Sequence, residues 1–559
     1  MMGAEALAKT LVLHGVNYIF QVSGDTRMKL IPAVENAGIE IVVARSEKAA
    51  VYMADGYSRI SYKPGVCFGQ AGPGAINLSA GMSEPYWSCT PVIALTGATP
   101  DSYIYKFEYQ ELDDTLLFQP TVKWNAKITR PERVSEIIRD AFHIATSGCP
   151  GPVHVRLPHD VSSSEVEMPE PYGNKICAEY PSTRVRPDLD RIKEAVKLLT
   201  ESGRPVIVAG AGAMISKAWN EVVRLAEMLS IPVATSPGGK GIIPENHPLS
   251  IGVSGTYSRS VTNEIVEEAD LVFFIGCRAG RLVTDGWRVP KPGSCKIIHL
   301  DINPNVIRRN YPTTVGIVGD VKLSLKDLIA ALRKRMLKPK SQRIARIKKI
   351  MKEWNDTVMP VMCSGDIPIK PHRVIKEMRN VLEKDDILVA DTGQMSAWTA
   401  ALYNTLASGR TYIRAYGTLG WSFPAALGAK FANPTRKVLN VIGDGGIAYH
   451  ISELETAIRW DKPFVAVVLN NKSLGFVHFN LEDLGWDKFK ASDFIDVDYA
   501  RVARGFGAYG RRVERPGELK ESIERAFNSR KPAIIDVVVD ETERAPVSYW
   551  RALPHARQI

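Results

Sequence analysis

Val438-Leu439-Asn440-Val441-Ile442-Gly443-Asp444-Gly445-Gly446 reads as a buried apolar strand that runs into a glycine-rich turn. About two dozen residues later a second run, Phe464-Val465-Ala466-Val467-Val468-Leu469, ends in Asn470-Asn471. Between them Ile451, Leu454 and Ile458 recur at helical spacing. This predicts one strand–helix–strand unit with Asp444 and Asn471 at the carboxyl ends of its two strands, where ligands of open α/β sheets collect. Asp444 and an Asn471 oxygen are hard donors of the kind Mg²⁺ or Ca²⁺ takes, with phosphate oxygens completing the shell. Gly443, Gly445 and Gly446 let backbone approach a bulky anion, and the helix start that follows favours negative charge. The stretch therefore points to a diphosphate held through a divalent metal. The competing reading is an ordinary tight turn beside an unrelated Asn pair.

The GDG turn, the spacing and the Asn pair resemble the thiamine diphosphate motif of the 2-oxoacid decarboxylase and acetolactate synthase superfamily. By that resemblance the side chains of Asp444 and Asn471 and the backbone oxygen of Ser473 bind Mg²⁺. Leu474, Gly475 and Phe476 then lie along the cofactor. The family implies an active site between the first domain of one subunit and the third of another, hence a homodimer or homotetramer.

Outward from this stretch, 559 residues imply several domains. There is no apolar run long enough to span a membrane and no basic leader with a cleavage site, so a cytoplasmic protein with no membrane partner is expected. Seven scattered cysteines without a CxxC pair read as reduced thiols. The net charge of +10 is partly local, in the basic stretch from Arg333 to Lys352. Without interleaved aromatics this reads as a solvated linker helix, and no nucleic-acid partner is expected.

The first 160 residues alternate strands (Tyr18-Val22, Ile39-Val43, Gly65-Gly69, Pro91-Thr96) with helices (Ala4-Leu13, Glu47-Ile60, Ala75-Glu84), predicting a parallel sheet covered on both faces. Arg45-Ser46-Glu47 with Ala54-Asp55-Gly56-Tyr57 resembles the family segment whose glutamate contacts the aminopyrimidine of thiamine. Glu47 is thereby the expected proton-transfer residue, and a helix-starting Glu that merely offsets the macrodipole is the alternative. The family's His before this Glu is Ser46. Gln70-Ala71-Gly72-Pro73-Gly74 resembles a ligand-side turn, and Tyr109-Gln110-Glu111 a loop of the acetolactate synthases, making Gln110 a pocket candidate. Gly24-Asp25 instead resembles the simple pyruvate-type decarboxylases, where the Asp moves protons. Their His pair is absent, and Val477 stands where they carry a Glu.

Residues 166–188, rich in proline and polar groups, read as a linker. The next α/β domain carries strands Val206-Ala209, Leu271-Ile275 and Lys296-Asp301. Its segments Gly276-Cys277-Arg278 and His299-Leu300-Asp301 resemble the central domain that in relatives holds FAD or ADP. Arg278 and Asp301 are the expected contacts, and an empty scaffold domain is the alternative. In the third domain Thr392-Gly393-Gln394-Met395 resembles the diphosphate-contacting turn, with Met395 in place of a His. Leu419 falls where relatives place the apolar wedge that bends the cofactor. Asn480 stands where the synthases carry a substrate-selecting Trp.

The expected architecture is α/β: three consecutive doubly wound parallel-sheet domains. They are a pyrimidine-binding domain over 1–165, a central nucleotide-binding-like domain over 186–332 and a diphosphate-binding domain over 366–545, followed by a tail over 546–559. The resemblance implies a thiamine diphosphate- and Mg²⁺-dependent enzyme that makes or breaks C–C bonds of 2-oxo acids, with an aldehyde or acyl-CoA as second substrate. An acetolactate-synthase-like carboligase is the leading expectation. The alternatives are a decarboxylase (Asp25), a 2-hydroxyacyl-CoA lyase with a basic lid (Arg551, Arg557), and an inactive cofactor-binding subunit.

Overall fold

The computed structural model describes residues 1–24, 29–167, 169–335, 340–486 and 490–551. Asp25 and Arg557 lie outside the described residues. The first sheet consists of β1 (Tyr18–Gln21), β2 (Glu40–Val43), β3 (Gly65–Gly69), β4 (Val92–Ala98), β5 (Trp124–Lys127) and β6 (Val153–Pro158), in spatial order β2-β1-β3-β4-β6-β5. The second is built from β7 (Pro205–Ala209), β8 (Val233–Thr235), β9 (Ser250–Val253), β10 (Leu271–Ile275), β11 (Lys296–Asp301) and β12 (Val315–Val318), in order β12-β11-β10-β7-β8-β9. The third holds β13 (Ile387–Ala390), β14 (Tyr412–Arg414), β15 (Val438–Gly443), β16 (Val465–Asn470), β17 (Tyr509–Val513) and β18 (Ala533–Val538), in order β14-β13-β15-β16-β18-β17. Every ladder among them is parallel. The chain is thus three doubly wound α/β domains, and the first and third share one strand order.

The central strands carry the continuous apolar runs that burial on both faces demands: β4, β7, β10 and β16 are buried at every position. The strand order fixes where each sheet opens. Strand direction of travel reverses between β1 and β3, between β7 and β10, and between β13 and β15. Those three switch points are where a crevice forms beyond the carboxyl ends.

The first and third domains are joined through two helices. Helix Glu47–Ser61 starts at Ser46, whose hydroxyl accepts from the Ala49 N–H, and stops at Tyr62 in the left-handed region. It crosses helix Ser422–Ala432 backbone to backbone. A Cβ added at Gly56 would lie 2.2 Å from the Ala425 carbonyl oxygen, and one at Gly428 only 2.0 Å from that of Met53. The seam contains buried charge: Arg59 pairs with Asp55 (2.6 Å) and Glu84 (3.1 Å), and Trp421 Nε1 donates to Asp55 at 2.8 Å. Such a pair is costly to break from one side, about 3–5 kcal/mol, so it also fixes the register of the crossing.

Two expectations change in detail. The predicted helix Ala75–Glu84 is two helices, Pro73–Gly81 and Ser83–Ser88, separated at Met82, with Glu84 turned inward to Arg59. The basic stretch after Arg333 leads into helix Ser341–Met362, which is more than a solvated linker. Its Ile347 packs into the middle-domain core, while Trp354, Val358 and Met362 pack into that of the third domain. Among the described residues no helix is long and apolar enough to cross a membrane.

Candidate active site

At the β13/β15 switch point a cavity of 220 Å³ is lined by Asp391, Gly393, Gln394, Met395, Leu419, Gly443, Asp444, Gly445, Gly446, Asn471, Ser473, Leu474, Gly475 and Phe476, among others. The candidate cofactor and metal residues of the third domain therefore meet in one place, although they come from four separate stretches of chain. Asp444 stands at the end of β15, and Asn471 follows β16 directly. The Asp444 carboxylate accepts from the N–H groups of Gly445 (2.9 Å) and Ser473 (3.2 Å), which ties the two strand ends together. Burial raises its pKa to about 6, against the opposing pull of those amides. A divalent cation at this carboxylate would reverse the shift, because opposite charge favours the ionised form.

The donors suit a hard cation that shares its shell with phosphate oxygens. They are one carboxylate, one amide side chain and a backbone turn, with no soft ligand. Among the described residues no cluster of three His, Cys, Asp or Glu side chains is present that would make a self-sufficient metal cage. The turn also leaves polar groups waiting for a partner. Both polar atoms of the buried Gln394 side chain, and the Ser473 hydroxyl, find none among the described residues. An orphaned buried amide costs about 1–3 kcal/mol, which a diphosphate or its bound water would recover. At Gly393 the backbone takes φ 68°, and a Cβ there would meet open space rather than protein. The requirement for glycine is conformational, and the space is free for a ligand. Gly446 is needed for a different reason: a Cβ would collide with Asp391 Oδ2.

Asp391 has no counterpart among the residues the sequence singled out as functional. It is wholly buried at the end of β13 and accepts from the N–H of Gly420 (2.9 Å) and, more weakly, Ser422 (3.4 Å). Burial pushes it up to about 7. It holds the turn that presents Leu419, which is half-buried and faces the cavity instead of filling a core. The signal that would have found it is its place as the residue just beyond a switch-point strand.

At the corresponding β1/β3 switch point of the first domain a second group gathers. Glu47 opens its helix above the turn that follows β3. A Cβ on Gly74 would sit 3.1 Å from Glu47 Oε1, and Asn77 Nδ2 donates to Glu47 Oε2 at 3.1 Å. Gln70 Nε2 donates to Gln110 Oε1 at 3.2 Å, and Gly72 packs directly under the Gln110 backbone. Glu47, Gln70, Gly72, Gly74 and Gln110 are thus brought together. Glu47 and Gln110 are not among the residues that line the third-domain cavity, so within one chain the two groups remain separate.

The tail and the segment after Asn471 meet beside the cavity. Tyr549 Oη donates to Asn480 Oδ1 at 2.9 Å, Trp550 packs on Phe476 and Phe479, and Arg544 bonds Glu482 and Asp483. Asn480 itself stands behind the cavity wall, outside its lining. His478 pairs with Glu482 and Asp493 on a partly exposed face, as a structural His would. A separate cavity of 370 Å³ opens at the β7/β10 switch point of the middle domain, where Gly210-Ala211-Gly212, Arg278 and Asp301 line it.

Comparison with known proteins places these features in a family. Residues 1–117, 192–328 and 391–537 match, respectively, the N-terminal TPP binding domain, the central domain and the C-terminal TPP binding domain of thiamine pyrophosphate enzymes. The chain is 38% identical to a protein of Methanocaldococcus jannaschii named "Probable acetolactate synthase large subunit", over 98% of this chain and 93% of that one. It is 30% identical to the acetolactate synthase large subunit of Haemophilus influenzae, over 97% and 95%. The acetolactate synthase large subunit of Parasynechococcus marenigrum is 32% identical, over 97% and 88%.

Proposed function

Because the chain belongs to the acetolactate synthase large-subunit group of thiamine pyrophosphate enzymes, we propose that it is a Mg²⁺-dependent carboligase. In this reading it takes a 2-oxo acid as donor and a second carbonyl compound as acceptor. The observation that carries the reading is the convergence of Asp444, Asn471, Ser473 and the unpartnered Gln394 on one cavity at the β13/β15 switch point.

Asp444, the Asn471 side chain and the Ser473 backbone oxygen would hold the metal. Gly393, Gln394, Met395, Gly443, Gly445 and Gly446 would cradle the diphosphate. When bound, thiamine diphosphate supplies the carbon nucleophile and the electron sink for bond changes beside a carbonyl. Leu419 serves as the apolar support beneath it. Leu474, Gly475 and Phe476, which line the same cavity, would shield it from water. Glu47 would hold and return a proton at the pyrimidine side, with Gln110 as a further polar group of the pocket and Asp25 as a second proton-transfer candidate. Since Glu47 stands on a different sheet from Asp444, a complete site needs the first domain of a second copy. A homodimer is then the smallest active unit, and a homotetramer a pair of them. Domains over 1–165, 186–332 and 366–545 fit this division of labour. Arg278 and Asp301 would meet FAD or ADP in the middle-domain cavity, and the seven thiols fit a cytoplasmic setting.

The test is product analysis by mass spectrometry, with purified protein, thiamine diphosphate, Mg²⁺ and pyruvate, with and without an added aldehyde or acyl-CoA. Acetolactate or a mixed acyloin is the expected product. Acetaldehyde alone would replace this reading with a simple decarboxylase, and an acyl-CoA adduct with a 2-hydroxyacyl-CoA lyase run in reverse. No turnover of any 2-oxo acid by cofactor-loaded protein would make it an inactive partner subunit.

A further inference from the structure

Among the described residues the seven cysteines are all free thiols, and one pair of them lies close together. Cys89 and Cys149 have their Sγ atoms 3.4 Å apart, within S–H···S hydrogen-bond range, although 60 positions separate them in the chain. Cys89 ends helix Ser83–Ser88 in the left-handed region, at φ 55°. Cys149 follows the turn at Gly148, beyond helix Val134–Thr146. Both sulfurs belong to the first domain, and both line the wall of the middle-domain cavity, which gives small solutes a route to them. Both are only partly buried, unlike Cys67, Cys177 and Cys277.

The surroundings of the pair are cationic. From the middle domain, Arg278 Nη2 approaches Cys89 Sγ at 2.6 Å while its Nη1 donates to the Trp87 carbonyl at 3.2 Å. The Arg278 backbone is held in turn by Asn310, which donates to the carbonyls of Arg278 (3.2 Å) and Ala279 (3.1 Å). Lys123, anchored on the Ile144 and Ser147 carbonyls, acts on both sulfurs from the other side, and Asp301 is the opposing anion. Cys89 Sγ accepts from both Cys149 and Arg278. Arg278 and Lys123 favour the thiolate form in the pair, while burial of the sulfurs and Asp301 oppose it. A thiolate held beside a thiol by cationic neighbours is the arrangement that reacts with a two-electron oxidant and then resolves itself.

We propose that Cys89 and Cys149 form a redox-reactive dithiol at the seam of the first and middle domains, which takes a hydroperoxide and closes to an intramolecular disulfide. The thiolate sulfur attacks the terminal peroxide oxygen. An S–O bond forms, the O–O bond breaks, and the leaving oxygen departs as water or alcohol after taking a proton. The second sulfur attacks the resulting sulfenic sulfur, forming the S–S bond, and hydroxide leaves to become water. Two electrons pass from the two sulfurs to the peroxide; one proton comes from the thiol and the second from water. Closure to an S–S length of about 2.05 Å requires an approach of little more than an ångström, within reach of side-chain rotation. Oxidation removes the anion that Arg278 holds across the seam and leaves that guanidinium facing the cavity.

Cys363 supplies an internal reference. It is exposed and has Lys376 Nζ at 2.8 Å, but among the described residues no second cysteine bonded to it. Reduced, full-length protein is treated with one equivalent of hydrogen peroxide. It is then alkylated, digested and mapped by mass spectrometry, with dimedone present in a parallel sample. The expected result is a linked Cys89–Cys149 peptide that dithiothreitol cleaves, with dimedone found on Cys363 and not on the pair. In Arg278→Ala the rate of pair closure should fall about tenfold or more while the Cys363 rate holds, because the thiolate loses its counter-charge. The proposal is overturned if Cys89 and Cys149 remain alkylatable after Cys363 is consumed. It is equally overturned if they accumulate as unlinked sulfinic acids, or link to other cysteines. None of these readouts depends on the reaction the enzyme catalyses.

Discussion

Gly428→Ala tests whether the crossing of helices Glu47–Ser61 and Ser422–Ala432 sets the position of the reacting groups. The new Cβ would lie 2.0 Å from the Met53 carbonyl oxygen. A carbon needs about 3.3 Å from an oxygen, so the backbones must part by roughly 1 Å. The obstacle is backbone, so no rotamer change relieves it, and the cost falls at the upper end of overpacking, about 3 kcal/mol. Alanine regains about 1 kcal/mol of helix propensity over glycine, which leaves a net loss of about 2 kcal/mol. For a unit of about 150–250 residues that corresponds to a Tm lowered by about 4–8 °C. Glu47 opens the displaced helix, and a shift of about 1 Å in a reacting group lowers turnover by about 10²-fold. Scanning calorimetry and steady-state product formation measure the two effects. Gly505→Ala, at a helical position with open space around it, is the control and should leave both unchanged. A Gly428→Ala protein with native Tm and native turnover would refute the reasoning.

Other expectations rest on single residues. Glu47→Gln keeps the shape of the side chain but removes its proton chemistry; turnover should fall by about 10²–10⁴-fold, with calorimetric cofactor affinity retained. Asp444→Ala should leave circular dichroism and Tm near native, yet abolish the dependence of thiamine diphosphate binding on Mg²⁺. Glu453 is buried, accepts from the Arg45 N–H (2.9 Å) and Thr456 Oγ1 (2.8 Å), and is pushed by burial up to about 7. Its folded pKa lies above the unfolded one, so the native state binds the extra proton and this residue's contribution to stability is lost as pH rises toward 7. In chemical denaturation, the stability of Glu453→Gln relative to the native protein should therefore climb from pH 4.5 to 7, by up to about 3 kcal/mol, and level off above; a pH-independent difference would contradict the assignment.

The strand–turn–helix units were readable from sequence because burial on both faces of a parallel strand leaves a continuous apolar run. The carboxyl-end turns of those strands carry Gly393, Asp444 and Asn471. The predicted strands Gly65-Gly69, Leu271-Ile275 and Lys296-Asp301 coincide with β3, β10 and β11. Local periodicity does not report what lies across a tertiary seam. Gly56 and Gly428 look like ordinary helical glycines until the two backbones meet. Asp391 and Glu84 look like surface acids until they are found buried on partners distant in sequence. The break at Met82 follows from Glu84 turning inward to Arg59, and the burial of Trp354 follows from a helix that packs against two domains at once. Cys89 and Cys149 carry no motif, and only the fold brings them together. The separation of Glu47 from Asp444 has the same origin: each belongs to the switch point of its own sheet.

The most direct test of the account is a calorimetric titration of the purified, cofactor-free protein with thiamine diphosphate, with Mg²⁺ present and with the metal removed by chelator. The account predicts one cofactor bound per chain when Mg²⁺ is present and loss of that binding on chelation. Binding of equal strength without the metal, or no binding in either condition, would contradict it.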